Sequence, residues 1–288
     1  MNGTLYLCAT PIGNLEDITA RVLRTLREAD LIAAEDTRHT RALLAHFDIH
    51  KPMTSYHEHN QAVKTDLLIE KLLTGTNIAL VTDAGTPAIS DPGEVLCRRC
   101  LEEGIRVESL PGACALITGL TMSGMSARRF VFEGFLPREK KEREAVLSSL
   151  ALETRTAVLY EAPHRLVRTL KYLYEALGDR NAVLCRELTK VHEEAVRIRL
   201  SKAEAYFADK EPRGEYVLVI EGADPAAAAD AAGPDGGAAD LNAMDIRDHV
   251  AVYEGRGMDR KAAMKAAAAD RGVSRRDVYN ALLKTEDG

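Results

Sequence analysis

Tryptophan is absent from this 288-residue chain, and its aromatic surface amounts to five phenylalanines and nine tyrosines. So few flat rings argue against the repeated stacking platforms of a protein that threads free single strands, and favour recognition by shape. Also missing is any apolar run near the roughly 20 residues of a membrane span. The first strand-like segment begins at Leu5, which leaves no room for the charged and apolar regions of a secretory leader. The expectation is a cytoplasmic protein with no membrane attachment. Positive charge is short as well. With a formal net charge of −6 the chain cannot gather polyanions by net attraction, so any phosphate contact must come from local patches and weaken with salt.

Two phosphate-binding signatures are lacking. No GxGxxG follows the first strand and no GxxxxGKS or GxxxxGKT occurs, so a dinucleotide pyrophosphate or a P-loop triphosphate has no usual cradle. The cysteines, Cys8, Cys97, Cys100, Cys114 and Cys185, are odd in number and scattered, which fits reduced thiols rather than a disulfide framework. Cys97 and Cys100 have a zinc-like spacing but no second ligand pair, and no metal is expected.

What is present is an alternation. Short β-rich runs at Leu5–Ala9, Leu31–Ala34, Pro52–Tyr56, Ile78–Val81 and Val107–Leu110 are separated by helical patterns around Ile18–Ala29, Thr40–Phe47, Val63–Leu73 and Glu94–Glu103. That spacing demands crossover connections and hence a largely parallel sheet. After a helix over Ala115–Met122, strand-like runs resume at Phe130–Glu133, Thr156–Tyr160, Ala182–Cys185, Ala195–Ile198 and Tyr216–Ile220. Fewer helices separate the last three, which implies a mixed sheet.

The expected fold is α/β: a parallel-sheet domain over residues 1–120, a mixed-sheet domain over 121–222, a flexible linker at 223–240 and a basic helical tail at 241–288. The linker, DPAAAADAAGPDGGAAD from Asp224, is too small and polar to bury much surface. In the tail, Ile246, Val250, Tyr253, Met258, Ala262, Ala266, Val278 and Leu282 recur at helical spacing, with Ser274 placed to cap a helix. Eight Lys or Arg face three Asp between Gly255 and Thr285, so this is the basic part of an acidic protein.

In open parallel sheets, ligands bind beyond the carboxyl ends of the strands. Those positions hold Thr10-Pro-Ile-Gly-Asn14, Glu35-Asp-Thr-Arg38, His57-Glu-His-Asn60, Asp83-Ala-Gly-Thr-Pro87 and Pro111-Gly-Ala-Cys-Ala115. Gly and Pro without a phosphate nest point to backbone approaching a compact, mostly uncharged ligand such as an adenosine. With Phe132-Glu-Gly-Phe-Leu-Pro137, Tyr160-Glu161, His164-Arg165 and Arg186-Glu-Leu-Thr-Lys190, this ordered series resembles the tetrapyrrole-methylase superfamily, from about Leu5 to Gly222. Within it the series is most similar to the branch that methylates the 2′-hydroxyl of a cytidine in bacterial 16S rRNA, in the decoding region of the small subunit.

The resemblance implies S-adenosylmethionine in the cleft between two domains. It places the cofactor against Pro11, Ile12, Gly13, Val81, Thr82, Asp83, Thr86, Cys114 and Ala115, with Tyr160, Glu161, Leu188, Gly214, Glu215 and Tyr216 closing the pocket. It also implies a homodimer, with 16S rRNA or the 30S subunit as partner. A base for the hydroxyl would come from Asp36, His57, Glu58, Glu187 or Lys190, all near strand ends. Asp36 suits a helix cap equally well, and His57 with His59 lacks a third metal ligand. Arg38, Arg165 and Arg186, and in the tail Lys261, Arg275 and Arg276, are the expected phosphate contacts, alongside the run Arg138–Arg143. Two rivals remain at this point: a corrin or porphyrin C-methyltransferase of the same fold, and a non-catalytic ribosome-binding module.

Overall fold

The computed structural model describes residues 2–226, 228, 244–255 and 258–283. The first sheet is built from β1 (Thr4–Cys8), β2 (Leu31–Ala34), β3 (Met53–Ser55), β4 (Ile78–Val81) and β5 (Arg106–Leu110). All pairings are parallel, in the order β3-β2-β4-β1-β5. Every residue of the central β4 is buried, which is why it reads as an unbroken apolar run instead of an alternation. Because β4 slots between β1 and β2, the loops after these three strands gather side by side, with β5 next to them. The loop after β3 is left at the margin.

Helices α1 (Ala20–Glu28), α2 (Thr37–His46), α3 (Gln61–Leu73) and α4 (Glu94–Glu102) make the crossovers. Their starts follow the caps and not the apolar period. Thr19 accepts the Val22 amide at 3.1 Å and Asp36 accepts the Arg38 amide at 2.8 Å, so α2 begins three residues before the expected Thr40 and α1 two after Ile18.

Helix α5 (Ala115–Ser123) leads into β6 (Phe130–Phe135), α6 (Lys140–Leu152), β7 (Thr156–Glu161), α7 (Pro163–Leu177), β8 (Asn181–Arg186), β9 (Glu194–Arg199), α8 (Ala203–Tyr206) and β10 (Tyr216–Ile220). The second sheet has the order β6-β7-β10-β8-β9; β6 and β7 are parallel and the other pairs antiparallel. On one face Leu116 and Leu120 of α5 pack with Val158, Val183 and Val217. Gly119 permits that approach, since a Cβ there would lie 2.7 Å from Val217 Cγ1. On the other face α6 and α7 bring Leu150, Leu166, Leu170 and Leu173 against Leu159, Leu184 and Leu218. The division expected at residue 120 falls inside α5.

The chain forms two compact units, Met1–Ala223 and Asp224–Gly288. In the second, α9 (Ile246–Gly255), α10 (Arg260–Asp270) and α11 (Arg275–Leu283) enclose Val250, Ala263, Met264, Ala267, Val278 and Leu282. Ser274 caps α11 reciprocally: its Oγ accepts the Asp277 amide at 3.2 Å and its own amide donates to the Asp277 carboxylate at 3.1 Å. The buried stripe of α10 passes through Ala263 and Ala267, not the expected Ala262 and Ala266, because a run of alanines carries almost no apolar contrast from which to read a phase. Residues 227 and 229–240 of the expected linker lie outside the described residues.

Candidate active site

A cavity of about 320 Å³ opens at the carboxyl edge of the first sheet and is closed by the second. Ile12 follows β1, Glu35 follows β2, the segments 83–86 and 89–91 follow β4, and Cys114 and Ala115 follow β5. From the second sheet come Phe135, the segment 160–162, Leu188 and the segment 215–217.

The segment after β4 reverses sharply several times. Gly85, Ala88, Ser90 and Gly93 have φ of +90°, +66°, +61° and +144°, outside the regular strand and helix regions and costing free energy at the two non-glycine positions. Thr10 and Gly85 exchange backbone hydrogen bonds of 2.9 and 3.0 Å, and Thr86 Oγ1 donates to the Ala113 carbonyl at 3.1 Å. These bonds hold three strand-end loops to one another.

Five carboxylates, Glu35, Asp83, Asp91, Glu161 and Glu215, stand on the cavity wall, which carries no Lys, Arg or His. Thr82 Oγ1 donates to Glu35 at 2.7 Å, and the Asp36 amide donates to Asp83 at 3.1 Å. Burial raises the Asp83 carboxyl above its ordinary value; the Asp36 amide opposes this and the Glu35 charge adds to it. Asp91 goes further, to about 7, through burial and then the neighbouring Glu35 and Asp83 charges, with the Thr82 side chain as the opposing influence. The Tyr160 hydroxyl, pushed up to about 12 by burial and Cys114, accepts the Leu116 amide at 3.0 Å. Glu161 is 2% exposed and receives the Ala162 amide at 2.9 Å, Thr169 Oγ1 at 2.5 Å and Arg165 Nε at 3.5 Å. A wall of this sign repels phosphates and suits a neutral or cationic ligand.

Of the residues expected around the cofactor, Ile12, Asp83, Thr86, Cys114, Ala115, Tyr160, Glu161, Leu188, Glu215 and Tyr216 line the cavity. Pro11, Gly13, Val81, Thr82 and Gly214 are not on that wall. Val81 and Thr82 are buried beneath it. Gly13 and Gly214 make room for neighbours, since a Cβ on Gly13 would meet Lys190 Cγ at 2.3 Å and one on Gly214 would meet Glu187 Cγ at 2.4 Å. Sequence reasoning did not place Glu35, Ala84, Gly85, Ile89, Ser90, Asp91, Phe135, Ala162 or Val217 on the cofactor wall.

The five groups expected as bases are placed differently: none is on the wall. Asp36 caps α2 and is gripped by Arg38 at 2.7 Å, which holds its carboxyl well below the usual range. His57 and Glu58 follow the marginal β3, and His57 is tied to Asn60 through its amide at 2.9 Å and its Nε2 at 3.1 Å. Lys190 bridges Glu187 at 2.9 Å and Glu215 at 3.0 Å. Burial alone would lower its proton affinity, but the two carboxylates more than offset that and keep it charged, unfit to accept a proton. Burial likewise opposes ionisation of Glu187, and Lys190, the Glu215 amide and Arg186 together overcome it.

Among the expected phosphate contacts, Arg165 is turned inward. Its side chain is 12% exposed, paired with Glu161, and donates to the Leu136 carbonyl at 2.5 Å. Arg38 is exposed but chelates Asp36, and Arg186 donates to the Arg213 carbonyl at 2.8 Å and Glu194 at 3.3 Å. Lys261, Arg275 and Arg276 are exposed on α10 and α11. Among the described residues no three or more His, Cys, Asp or Glu are grouped to hold a metal ion, and no helix is long and apolar enough to cross a membrane.

The cavity lies at the edge of the first sheet and is closed by a second α/β layer, and residues 4–204 match the family model of the tetrapyrrole (corrin/porphyrin) methylases. The chain belongs to that family. It is 47% identical over 285 residues to the ribosomal RNA small subunit methyltransferase I of Synechocystis, covering 99% of both chains. The protein of the same name from Bacillus subtilis is 44% identical over 279 residues, covering 97% of this chain and 94% of that one. Solved structures with the same fold include diphthine synthase, at 16% identity and TM-score 0.60, covering 76% of this chain and 90% of that one. Another is the uroporphyrin-III C-methyl transferase of Thermus thermophilus complexed with S-adenyl homocysteine, at 20% identity and TM-score 0.54, covering 76% and 97%.

Proposed function

We propose that the protein is an S-adenosylmethionine-dependent methyltransferase of small-subunit ribosomal RNA and, more finely, that it modifies the ribose 2′-hydroxyl of a cytidine in 16S rRNA. The observation that carries the substrate is the 47% identity, over 99% of both chains, to a relative named for that RNA. The cavity supports the cofactor. Ile12, Leu188 and Val217 offer apolar surface to a nucleoside base, while Glu35, Asp83 and Asp91 offer negative charge to a sulfonium and an ammonium. Bound there, the cofactor supplies a methyl group activated for transfer to an oxygen nucleophile.

The chain's own contribution is position and charge. The tied loops after β1, β4 and β5 fix the cavity walls, and holding two reactants in line is worth up to about 7–11 kcal/mol of a barrier. The exposed cations Arg138, Lys140 and Lys141, with Lys261, Arg275 and Arg276 of the helical unit, are the phosphate contacts of this reading. Methylation then falls steeply with salt. A 30S subunit as substrate and a homodimer as the working state belong to the same proposal.

The test is transfer of labelled methyl to 30S subunits and to free 16S rRNA, followed by mapping of the modified nucleotide. Two variants locate the site. Gly85→Val places a β-branched side chain at φ +90° with its Cβ 3.4 Å from Ile12 Cγ2, and Asp83→Ala unties the Asp36 amide. Each is expected to weaken cofactor binding at least about tenfold, a loss of about 1.4 kcal/mol. Normal turnover by both variants would remove this cavity from the reaction.

A further inference from the structure

β6 is the edge strand of the second sheet, and strict alternation from Phe130 and Phe132 would turn Gly134 to their face and Phe135 to the other. A bulge prevents this. Pairing with β7 runs from Phe132↔Val158 directly to Gly134↔Leu159, leaving Glu133 as the extra residue, and Gly134 takes φ +64°. Phe132 and Phe135 therefore both lean edge-on against Tyr160, at centroid distances of 5.0 and 5.7 Å. Phe132 is partly buried in that contact, whereas Phe135 is 48% exposed and lines the cavity.

The backbone carrying this ring is pinned. Leu136 is 1% exposed, Arg165 donates to its carbonyl at 2.5 Å, and Arg143 donates to the carbonyls of Pro137 at 3.3 Å and Arg138 at 2.8 Å. The inward Arg165 thus supports the wall. Arg138, Lys140 and Lys141 follow at once and are exposed. A chain with no tryptophan and five phenylalanines has set one half-exposed, rigidly held ring at the cavity mouth, next to cations.

We propose that Phe135 is the platform on which the base of the nucleotide being methylated stacks. This rests on the reading of RNA as substrate and adds to it the residue that presents the nucleotide. Bases of single-stranded RNA that are splayed out of their own stack are received on aromatic side chains, which replace the lost neighbour. Phosphates on either side of the displaced base fall to Arg138, Lys140 and Lys141.

The experiment measures methylation of 30S subunits by wild type and by Phe135→Ala, Phe135→Leu, Phe135→Tyr and Phe135→Trp, with the melting temperature and the affinity for S-adenosylhomocysteine of each. Alanine and leucine are expected to raise KM for the subunit about 5- to 150-fold, the range for loss of one stacked base. The affinity for S-adenosylhomocysteine falls by a much smaller factor than KM rises, and tyrosine and tryptophan restore KM. Phe135→Trp also creates the chain's sole tryptophan, whose emission is expected to be quenched by protein-free 16S rRNA added after S-adenosylhomocysteine. Leucine behaving as wild type would reduce the ring to apolar packing, and equal losses of nucleoside and subunit binding would make it part of the cofactor wall; either overturns the proposal. A wild type that methylates no rRNA overturns the reading beneath, and this inference with it.

Discussion

Glu161→Ala is expected to lose about 3–5 kcal/mol of unfolding free energy, the range for removing one partner of a buried ion pair. The carboxylate is almost fully enclosed and answers three donors: the Ala162 amide, Thr169 Oγ1 and Arg165 Nε. Without it, the Arg165 guanidinium keeps only the Leu136 carbonyl while 12% exposed. Glu161→Gln retains oxygen for two of the donors but not the charge, so its loss should be roughly half as large. Urea denaturation at neutral pH distinguishes these. A loss below about 1 kcal/mol for alanine would mean that Arg165 swings out into water and that the pair does not hold the wall. Since Arg165 also supports the segment beneath Phe135, the alanine variant should in addition raise KM for RNA.

The layers of this fold were legible because the strand-helix alternation obeys periods that burial imposes. Ile78–Val81 and Tyr216–Ile220 have the same limits in the sequence and in the structure, as central strands buried on both faces should. Ten of the cavity residues were named beforehand too, through the likeness of their motifs to those of the family; the rule that strand ends meet at one rim pointed only to the loops of the first sheet. What escaped was decided by contacts distant in sequence. Whether Asp36 serves as a cap or as a base depends on Arg38 closing over it. The loop at His57 fails to reach the cavity because β4 inserts between β1 and β2, a matter of strand order that the alternation does not encode. Phe135 was hidden by a one-residue bulge, since an alternation that ends at Glu133 cannot report which way the next ring points.

Asp91 escaped for a related reason, and it carries the sharpest dependence on pH. It lies in the reversal after β4, and only the fold brings Glu35 and Asp83 to face it, with Thr82 and Tyr160 alongside. Its carboxyl is raised from 3.8 to about 7. A raised carboxyl means that the folded chain binds the proton more tightly than the unfolded one. The stability it contributes is therefore fully present below about 4 and lost as the pH rises through about 7. Asp91→Asn, neutral throughout, should gain stability on wild type between pH 5 and 8 in paired denaturation curves.

Ligand binding should run the other way. A sulfonium placed among these carboxylates favours the ionised form, so binding below about pH 7 expels a proton and affinity climbs with pH, by about tenfold from pH 5.5 to 8. The demethylated product has lost that charge and should show a flatter profile. Asp91→Asn is expected to flatten the first profile toward the second and to narrow the affinity ratio between S-adenosylmethionine and S-adenosylhomocysteine. Calorimetry in buffers of different ionisation enthalpy reads the expelled proton directly. If wild type and variant release the same number at pH 6, Asp91 does not sense the charge, and discrimination between donor and product lies with Glu35 and Asp83.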